Sequence, residues 1–280
     1  MRADLHIHTT ASDGRWRTER LVAELETRSI RLFAIADHDT IANLPSAEAL
    51  AHERGLSFLR GVEVSTNIKG RLFHILGYGF DSDSPALTEL LHENRVRAEE
   101  HNDITVHKLI AAGYPIDFDD YAAYEYDQER GGWKTLNFLI DLGFCTGVRD
   151  YFDNLIAELS IGIPSYPHPA EAISVVQQAK GTPILAHPGM SLRHIGVTEE
   201  SLRPFLDFGI SGLECYSQYH DESTTRFCLE WCERRDLLIT GGSDYHGGFV
   251  GRELGAPIVD TADLRLGELR NKIAHSIRCT

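Results

Sequence analysis

Seven short apolar runs alternate along most of the chain with amphipathic segments, and this alternation is the feature that most limits the possible folds. The runs cover residues 3–7, 32–36, 57–63, 72–79, 183–187, 212–216 and 237–241. Each has the length of a strand, and the segments between most of them have helical spacing. Alternating strands and helices are typical of α/β proteins. We therefore predict an α/β fold, a distorted seven-stranded β/α barrel. The distortion follows from the segment "NIKGR", which joins the third and fourth runs and is too short for a crossover helix, so we predict a hairpin there.

The alternation is interrupted between residues 84 and 165. This stretch begins with an acidic helical pattern and continues into "YAAYEYDQERGGWKTLNF", which has few strand signals. We predict an inserted helical subdomain at 84–165 between two parts of the barrel, 1–83 and 166–280. The insertion is either a solvated cap or a lid that contacts substrate.

Histidines and acids occupy positions where the strands should be buried. In the first strand, alternation places Asp4, His6 and His8 on one face, and Leu5 and Ile7 on the other. A buried imidazole without a partner costs about 1–3 kcal/mol, and a metal ion would supply that partner.

The same pattern recurs at other strands. The residues concerned are Asp37, His38, Asp39, Glu63, His74, His187, Asp244 and His246. Side chains at the carboxyl ends of barrel strands share one face, and His, Asp and Glu suit divalent metals. The sequence therefore predicts a multinuclear metal site.

Three further residues have candidate supporting roles. Asp37 or Asp39 is predicted to accept the second ring proton of His38, although Asp39 alternatively caps the next helix. His220 follows "LECYSQY" and is predicted to contact a substrate oxygen or to orient a ligand.

The motifs "DLHIHTTASDG", "AIADHDT", "GVEVS", "FHILGYG", "AHPG" and "GSDYHG" occur in that order. In these motifs the chain resembles the PHP (polymerase and histidinol phosphatase) family of metal-dependent phosphoesterases. The resemblance implies a distorted seven-stranded barrel with three divalent ions, either Mn, Fe or Zn. It also implies that Glu63 bridges two of the ions. The implied ligands are His6, His8, Glu63 and Asp244 for one ion, Glu63, His74 and His187 for a second, and Asp13, His38 and His246 for the third.

The implied activity is hydrolysis of phosphate esters of a small phosphorylated metabolite, a nucleotide or a sugar phosphate. The implied nucleophile is a metal-bound hydroxide that bridges two ions and attacks phosphorus in line. Three divalent ions would outweigh the three ligating carboxylates, which favours an anionic substrate. The formal charge of −15 disfavours binding to duplex nucleic acid.

Substrate selectivity is expected to depend on the insertion and the loops. A nucleotide-specific relative would carry an Arg-x-His segment where this chain has "RGGWKTLNFLIDLG", which argues against nucleoside bisphosphates. Lys134 is a candidate phosphate anchor, and Trp133 or Tyr126 a stacking surface. Arg130, Arg193 and Arg252 are candidates for holding a distal phosphate.

Other functions remain open at this point. A cyclic phosphodiesterase or a short-oligonucleotide nuclease would use the same site, and a binding module would hold metal without turnover. A carbon–nitrogen hydrolase is a further alternative, but no strand-end lysine is evident to bridge its metals. We expect a cytoplasmic protein without membrane contact, because no apolar run approaches the ~20 residues of a membrane span and the first strand leaves no room for a signal peptide. The sequence gives no indication of an oligomeric state.

Overall fold

The strands form two sheets in the computed structural model, which describes residues 1–274. In chain order the strands are Arg2–Ile7 (β1), Ile30–Ile35 (β2), Ser57–Phe58 (β3), Gly61–Ile68 (β4), Arg71–Tyr78 (β5), Thr182–Leu185 (β6), Gly212–Tyr216 (β7), Leu238–Gly241 (β8) and Val259–Asp260 (β9). The first sheet has the order β3-β2-β1-β9, parallel except for β9. The second has the order β4-β5-β6-β7-β8, in which β5 is antiparallel to both neighbours.

The predicted α/β class is confirmed, whereas the predicted strand list needs two corrections. The third run is not one strand, because the chain leaves β3 after Phe58 and enters β4 at Gly61 in the other sheet. The antiparallel strand β9 was not predicted. Within residues 1–274, no continuous ladder of strand hydrogen bonds joins the two sheets into a closed barrel. The seven-stranded barrel therefore stays a prediction.

The predicted hairpin forms between β4 and β5. Lys69 and Gly70 make its two-residue turn with φ values of 52° and 80°, as a type I′ turn requires. The register pairs Ser65 with His74 and Glu63 with Leu76. Glu63 and His74 are therefore diagonal neighbours on one face of the hairpin.

Helices cover the outer faces of the sheets. The helices are Thr18–Thr27 (α1), Leu44–Arg54 (α2), Pro85–Ala111 (α3), Phe118–Ala123 (α4), Lys134–Asp141 (α5), Val148–Asp150 (α6), Pro169–Gln178 (α7), Pro188–Ser191 (α8), Glu199–Phe208 (α9) and Glu222–Glu233 (α10). A π-helical turn follows α6 at Tyr151–Ile156, and 3-10 turns lie at Gln128–Arg130 and Gly267–Lys272. The main hydrophobic core joins α1, α2, α7, α9 and α10 to the strands. None of the described helices combines the length and the apolar character needed to cross a bilayer.

Residues 84–165 contain helices and turns but no strand. They have a hydrophobic cluster of their own, which includes Val106 and Leu109 from α3 and Leu136 and Leu139 from α5. The first helix of this stretch, α3, also reaches back to the sheets, since Asn94 is buried and donates to Asp39 Oδ1 at 2.7 Å.

The predicted alternation of side chains along the first strand is wrong for Leu5 and Ile7. Leu5 and Ile7 were predicted to share a face, but Leu5 packs in an inner cluster of strand and C-terminal residues, whereas Ile7 packs in the main core. The pairing of β1 with β2 is irregular between Asp4 and Ile7, and this irregularity changes the side-chain direction along the strand. Asp4 consequently lies apart from the other acids, and its carboxylate accepts from the backbone N–H groups of Ser243 and Gly255.

Candidate metal centre

The nine side chains predicted as metal ligands lie together in one cluster. Their carboxylate and imidazole atoms form three overlapping groups, within each of which the atoms are no more than 4.8 Å apart. The groups are His6, His8, Glu63 and Asp244; His38, Glu63 and His74; and His8, Asp13, His38 and His246. His187 is outside these three groups, but its Nε2 lies 2.9 Å from Glu63 Oε1. Residues from remote segments of the chain therefore converge on one small volume.

Glu63 lies at the centre of the cluster and faces two sets of imidazoles. Its Oε1 is 3.1 Å from His74 Nδ1 and 2.9 Å from His187 Nε2. Its Oε2 is 3.1 Å from His6 Nε2 and 3.2 Å from His8 Nε2. This arrangement is the one that a carboxylate bridging two cations requires.

Asp244 and Asp13 complete two sides of the cluster. Asp244 Oδ1 lies 2.9 Å from His8 Nε2, and Asp13 Oδ2 lies 3.3 Å from His246 Nε2. His38 stands between the groups, since its Nδ1 is 3.1 Å from Glu63 Oε2 and its Nε2 is 4.0 Å from Asp13 Oδ2. The geometry thus associates His38 with Glu63 as well as with Asp13.

The local charges keep the carboxylates ionised. Burial alone would raise the pKa of Glu63, but His6, His74 and His38 hold it well below its usual range. Burial would likewise raise the pKa of Asp13, yet His246 and His38 hold it well below normal. Burial lowers the pKa of His246, but Asp13 and Asp244 outweigh this effect and raise it to about 9. The cluster is an electrostatically coupled set of anions and imidazoles.

Several buried atoms of the cluster make no hydrogen bond, although imidazole nitrogens lie 2.9–3.2 Å from two of them, Glu63 Oε2 and Asp244 Oδ1. The atoms without a hydrogen bond are His8 Nδ1, His38 Nδ1, Glu63 Oε2, His187 Nδ1 and Asp244 Oδ1. Buried polar atoms are nearly always satisfied, and leaving one unpaired costs about 1–3 kcal/mol. Divalent ions would satisfy the carboxylate oxygens and one nitrogen of each ring, so the residues present fit a metal centre.

Glu214 is a supporting residue that the sequence analysis missed. It is fully buried, its Oε1 is 2.9 Å from His6 Nδ1, and its Oε2 accepts from the backbone N–H of His187 at 2.8 Å. A carboxylate behind a ligating imidazole fixes its tautomer and orientation. The available signal was a glutamate within the apolar run "GLECY".

A close backbone contact also positions His6. A Cβ atom on Gly242 would lie 2.4 Å from the backbone nitrogen and from Cβ of His6. The strand end after β8 therefore approaches β1 closely only because this residue is glycine.

The prediction that Asp37 or Asp39 accepts a ring proton from His38 is wrong, because both carboxylates have other donors. Asp37 accepts from the backbone N–H and hydroxyl of Thr9 and from the hydroxyl of Ser12. It therefore shapes the loop that leads from His8 to Asp13. Asp39 accepts from the backbone N–H of Ser65 and from Asn94, and it does not cap α2.

His220 has both ring nitrogens engaged. Its Nδ1 is 2.9 Å from the carbonyl oxygen of Cys215, and its Nε2 accepts from the N–H of Gly189 at 2.9 Å. Nδ1 faces a carbonyl and must carry the ring proton, whereas Nε2 accepts a hydrogen bond and must be unprotonated. These two contacts fix one neutral tautomer of the imidazole. Of its two predicted roles the geometry favours orientation, since His220 holds the segment that carries His187.

Arg252 is the predicted substrate contact that lies at the cluster. Its Nη1 is 2.7 Å from Asp244 Oδ2 and 3.2 Å from His246 Nδ1. Its guanidinium carbon is 4.6 Å from the centre of the Tyr219 ring, and that ring also contacts His187. Burial lowers the pKa of Arg252 to about 10, so the side chain stays cationic at neutral pH.

The other five predicted substrate contacts have different partners. Tyr126 donates its hydroxyl to the carbonyl oxygen of Gly132 at 3.1 Å. Arg130 makes two bonds to the carboxylate of Asp141, at 2.6 and 2.9 Å, and does not extend toward the cluster. Lys134 donates to the carbonyl of Ala122. Trp133 packs against Tyr151 and Phe152 inside the insertion. Arg193 lines a cavity of about 300 Å³ together with Tyr219.

Comparisons with known proteins identify the family. A family model described as "PHP domain" matches residues 4–166. The chain belongs to the PHP domain family. This match confirms the predicted family from more than half of the sequence.

The relatives of this PHP chain include hydrolases of phosphate esters. A phosphoribosyl 1,2-cyclic phosphate 1,2-diphosphodiesterase from Eggerthella lenta is 31% identical and covers 88% of this chain and 94% of its own length. A 5'-3' exoribonuclease from Haemophilus influenzae is 30% identical, covering 87% and 89%. A 3',5'-nucleoside bisphosphate phosphatase from Chromobacterium violaceum is 30% identical, covering 90% of each chain.

A solved structure from Bifidobacterium adolescentis, named as a metal-dependent phosphoesterase, superposes with a TM-score of 0.83 at 28% identity over 96% of each chain. A Chromobacterium violaceum structure named as an amidohydrolase, with bound sulfate and no metal, superposes with a TM-score of 0.81 at 28% identity over 99% of each chain. The prediction of a metal-dependent phosphoesterase is confirmed.

Proposed function

We propose that this PHP protein uses three divalent ions, held by the nine clustered side chains, to hydrolyse a phosphate ester of a small phosphorylated metabolite. The observation that carries the proposal is the set of buried carboxylate and imidazole atoms that lack a hydrogen-bond partner. Five such atoms lie together on side chains that can ligate metals, and bound cations would satisfy them. Retention of all nine side chains favours an enzyme over a binding module that holds metal without turnover.

The proposed ligand assignment is the one that the family resemblance implies; the first set equals one of the three geometric groups, whereas the other two place His187 with Glu63 and leave His8 out of the group around Asp13. His6, His8, Glu63 and Asp244 would hold one ion, Glu63, His74 and His187 a second, and Asp13, His38 and His246 the third. Bound divalent ions would lower the pKa of water and polarise a phosphoryl group. The N and O donors are compatible with Mn, Fe or Zn.

The remaining residues position the substrate and the ligands. Arg252 offers a cationic guanidinium next to Asp244 and His246, where it would bind a phosphoryl oxygen. Glu214 and His220 hold the imidazole of His6 and the backbone around His187. Asp37 binds Thr9 and Ser12 and so fixes the conformation of the loop before Asp13, and we assign it a positioning role.

The proposed substrate carries one reacting phosphate, either as a monoester or as a small cyclic diester. Of the six predicted substrate contacts, Arg252 alone bonds to side chains of the metal cluster. The cyclic diester is the second candidate, supported by the Eggerthella lenta relative, which covers nearly all of both chains. The exoribonuclease relatives make a short RNA a further substrate to test.

We infer that the two sheets are parts of the distorted seven-stranded barrel. Single bridges connect them, between Ile7 and Tyr245 and between His38 and Glu63. We also propose that residues 1–83 and 166–274 form this barrel and that 84–165 are an insertion, supported by the separate hydrophobic cluster of the latter. The last six residues of the predicted second part, 275–280, lie outside the described residues.

Phosphate release by the purified protein tests the proposal. Protein stripped with a chelator and reloaded with Mn²⁺ is assayed with p-nitrophenyl phosphate, bis-p-nitrophenyl phosphate and a set of sugar, nucleotide and cyclic phosphates, and with a short RNA. We expect turnover that needs metal and that disappears in Glu63→Gln, while His52→Ala, on the exposed face of α2, behaves as the wild type. Metal-loaded protein that hydrolyses none of these compounds would instead indicate the non-catalytic module.

A further inference from the structure

A glycine turn of the insertion lies directly on the loop that carries Asp13. The N–H of Gly132 donates to the carbonyl oxygen of Asp13 at 2.8 Å. Two arginines of the same loop bind the residues just before the turn, because Arg15 Nε donates to the carbonyl of Glu129 at 3.1 Å and Arg17 Nε lies 2.7 Å from its carboxylate. The insertion therefore holds the backbone of the Asp13 loop.

The contact leaves no space for side chains in the turn. Gly131 and Gly132 have φ values of 75° and 74°. A Cβ on Gly131 would lie 2.6 Å from Arg15 Cγ and 3.2 Å from the carbonyl oxygen of Asp13. A Cβ on Gly132 would lie 2.8 Å from the ring of Phe249 and 2.9 Å from Leu136. Both glycines are needed for close approach as well as for their backbone conformation.

The same turn reaches the loop that carries His246. Phe249, which packs against the turn, is three residues after His246, and the N–H of Arg15 donates to the carbonyl of His246 at 3.2 Å. The turn, the Asp13 loop and the His246 loop thus form one packed unit. Within it, Asp13 Oδ2 faces His246 Nε2 at 3.3 Å.

We propose that the Gly131–Gly132 turn is a positioning element for the ion held by Asp13, His38 and His246, and that it couples the insertion to metal binding. The proposal rests on the proposed function, since it assumes the three-ion centre. Asp13 needs such support, because its side chain is 21% exposed whereas Glu63 and His6 are fully buried in the core. The surrounding core fixes Glu63 and His6, but the insertion fixes the backbone of Asp13.

Metal titration of a glycine variant tests the coupling. Chelator-treated Gly132→Ala is titrated with Mn²⁺ by calorimetry, and the bound ions are counted by mass spectrometry. Loss of the contacts that hold a metal ligand in place typically lowers metal affinity 10–100-fold. We therefore expect one of three ions to bind at least about tenfold more weakly, with the affinity for the other two unchanged. The matched control is Gly143→Ala, also in the insertion, with φ 78° and no atom within 4 Å of an added Cβ. It should bind three ions as the wild type does.

Phe249→Ala is the second variant, for the case in which Gly132→Ala does not fold. It removes the ring under the turn without straining the backbone, and we expect the same selective weakening of one ion. If folded Gly132→Ala or Phe249→Ala binds all three ions with wild-type affinity, or weakens all three equally, the positioning role is wrong. A wild-type protein that binds no metal would contradict the proposed function itself.

Discussion

Single buried side chains decide whether the cluster is preorganised, and Glu214 is the clearest example. It is not one of the nine predicted ligands, yet it links the ring of His6 to the backbone of His187. The residue types at the strand ends predicted which side chains form the cluster, because each is a polar group in an apolar setting. The supporting contacts were less predictable, since they depend on which remote segments become neighbours.

Glu214→Gln should weaken metal binding without unfolding the protein. The amide keeps the size of the side chain but loses the charge that orients His6. Mutation of a carboxylate that holds a ligating imidazole typically lowers metal affinity 10–100-fold, and we expect a decrease of that size in Mn²⁺ affinity. Calorimetric titration measures it, with Glu230→Gln on an exposed face of α10 as the control. Wild-type affinity in Glu214→Gln would show that the contact to His6 is dispensable.

Arg252→Ala should raise KM for a phosphate ester more than it lowers metal content. A hydrogen bond to a charged group is worth about 1.5–3 kcal/mol, which corresponds to a KM increase of roughly 10–100-fold. Steady-state kinetics on the metal-loaded variant gives this number, and metal counting separates it from any effect on Asp244. Arg130→Ala serves as the comparison, because Arg130 is bound to Asp141 on the surface. An unchanged KM in Arg252→Ala would remove the arginine from substrate binding.

Among the elements, the β4–β5 hairpin was the most predictable. The segment "NIKGR" was too short for a crossover helix, and the register of the hairpin brings Glu63 and His74 together. The irregular pairing in β1 and the break between β3 and β4 were not predictable from local pattern. Both depend on how a strand meets its neighbour in another part of the chain, which hydrophobic alternation does not encode.

Gly70→Ala should destabilise the hairpin turn and leave the site intact. The φ of Gly70 is 80°, and an added Cβ there meets no atom within 4 Å, so the cost is that of the backbone conformation alone. We expect a loss of about 1 kcal/mol, or about 2–4 °C in Tm. Thermal unfolding followed by circular dichroism measures it, and kcat should not change. A large loss of activity would mean that the turn itself contributes to the metal centre.

At the scale of the whole molecule, the fold brings carboxylates, imidazoles and unsatisfied polar atoms into one interior volume. Glu63 Oε2 and Asp244 Oδ1 are buried and have no hydrogen-bond partner, and several imidazoles surround them. Ions that bind the folded state and not the unfolded chain stabilise the fold by mass action. The metal centre should therefore be part of what keeps the two sheets together.

Removal of metal should lower Tm, and adding it back should restore the value. One ion at 100 times its Kd contributes about 2.7 kcal/mol, which predicts a rise of several degrees for each ion bound. Differential scanning calorimetry of chelated and Mn²⁺-loaded protein measures the change. Glu63→Gln should respond much less, because Glu63 is shared between two ions. Identical Tm values for chelated and loaded wild-type protein would contradict a stabilising centre.

Anomalous diffraction from a crystal of the metal-loaded protein tests the central claim most directly. Data collected at the absorption edge of the added metal should show three peaks enclosed by the nine side chains, with Glu63 between two of them and the Asp13–His246 pair beside the third. A map without an anomalous peak within bonding distance of Glu63, from protein that has been incubated with excess metal, would contradict the account.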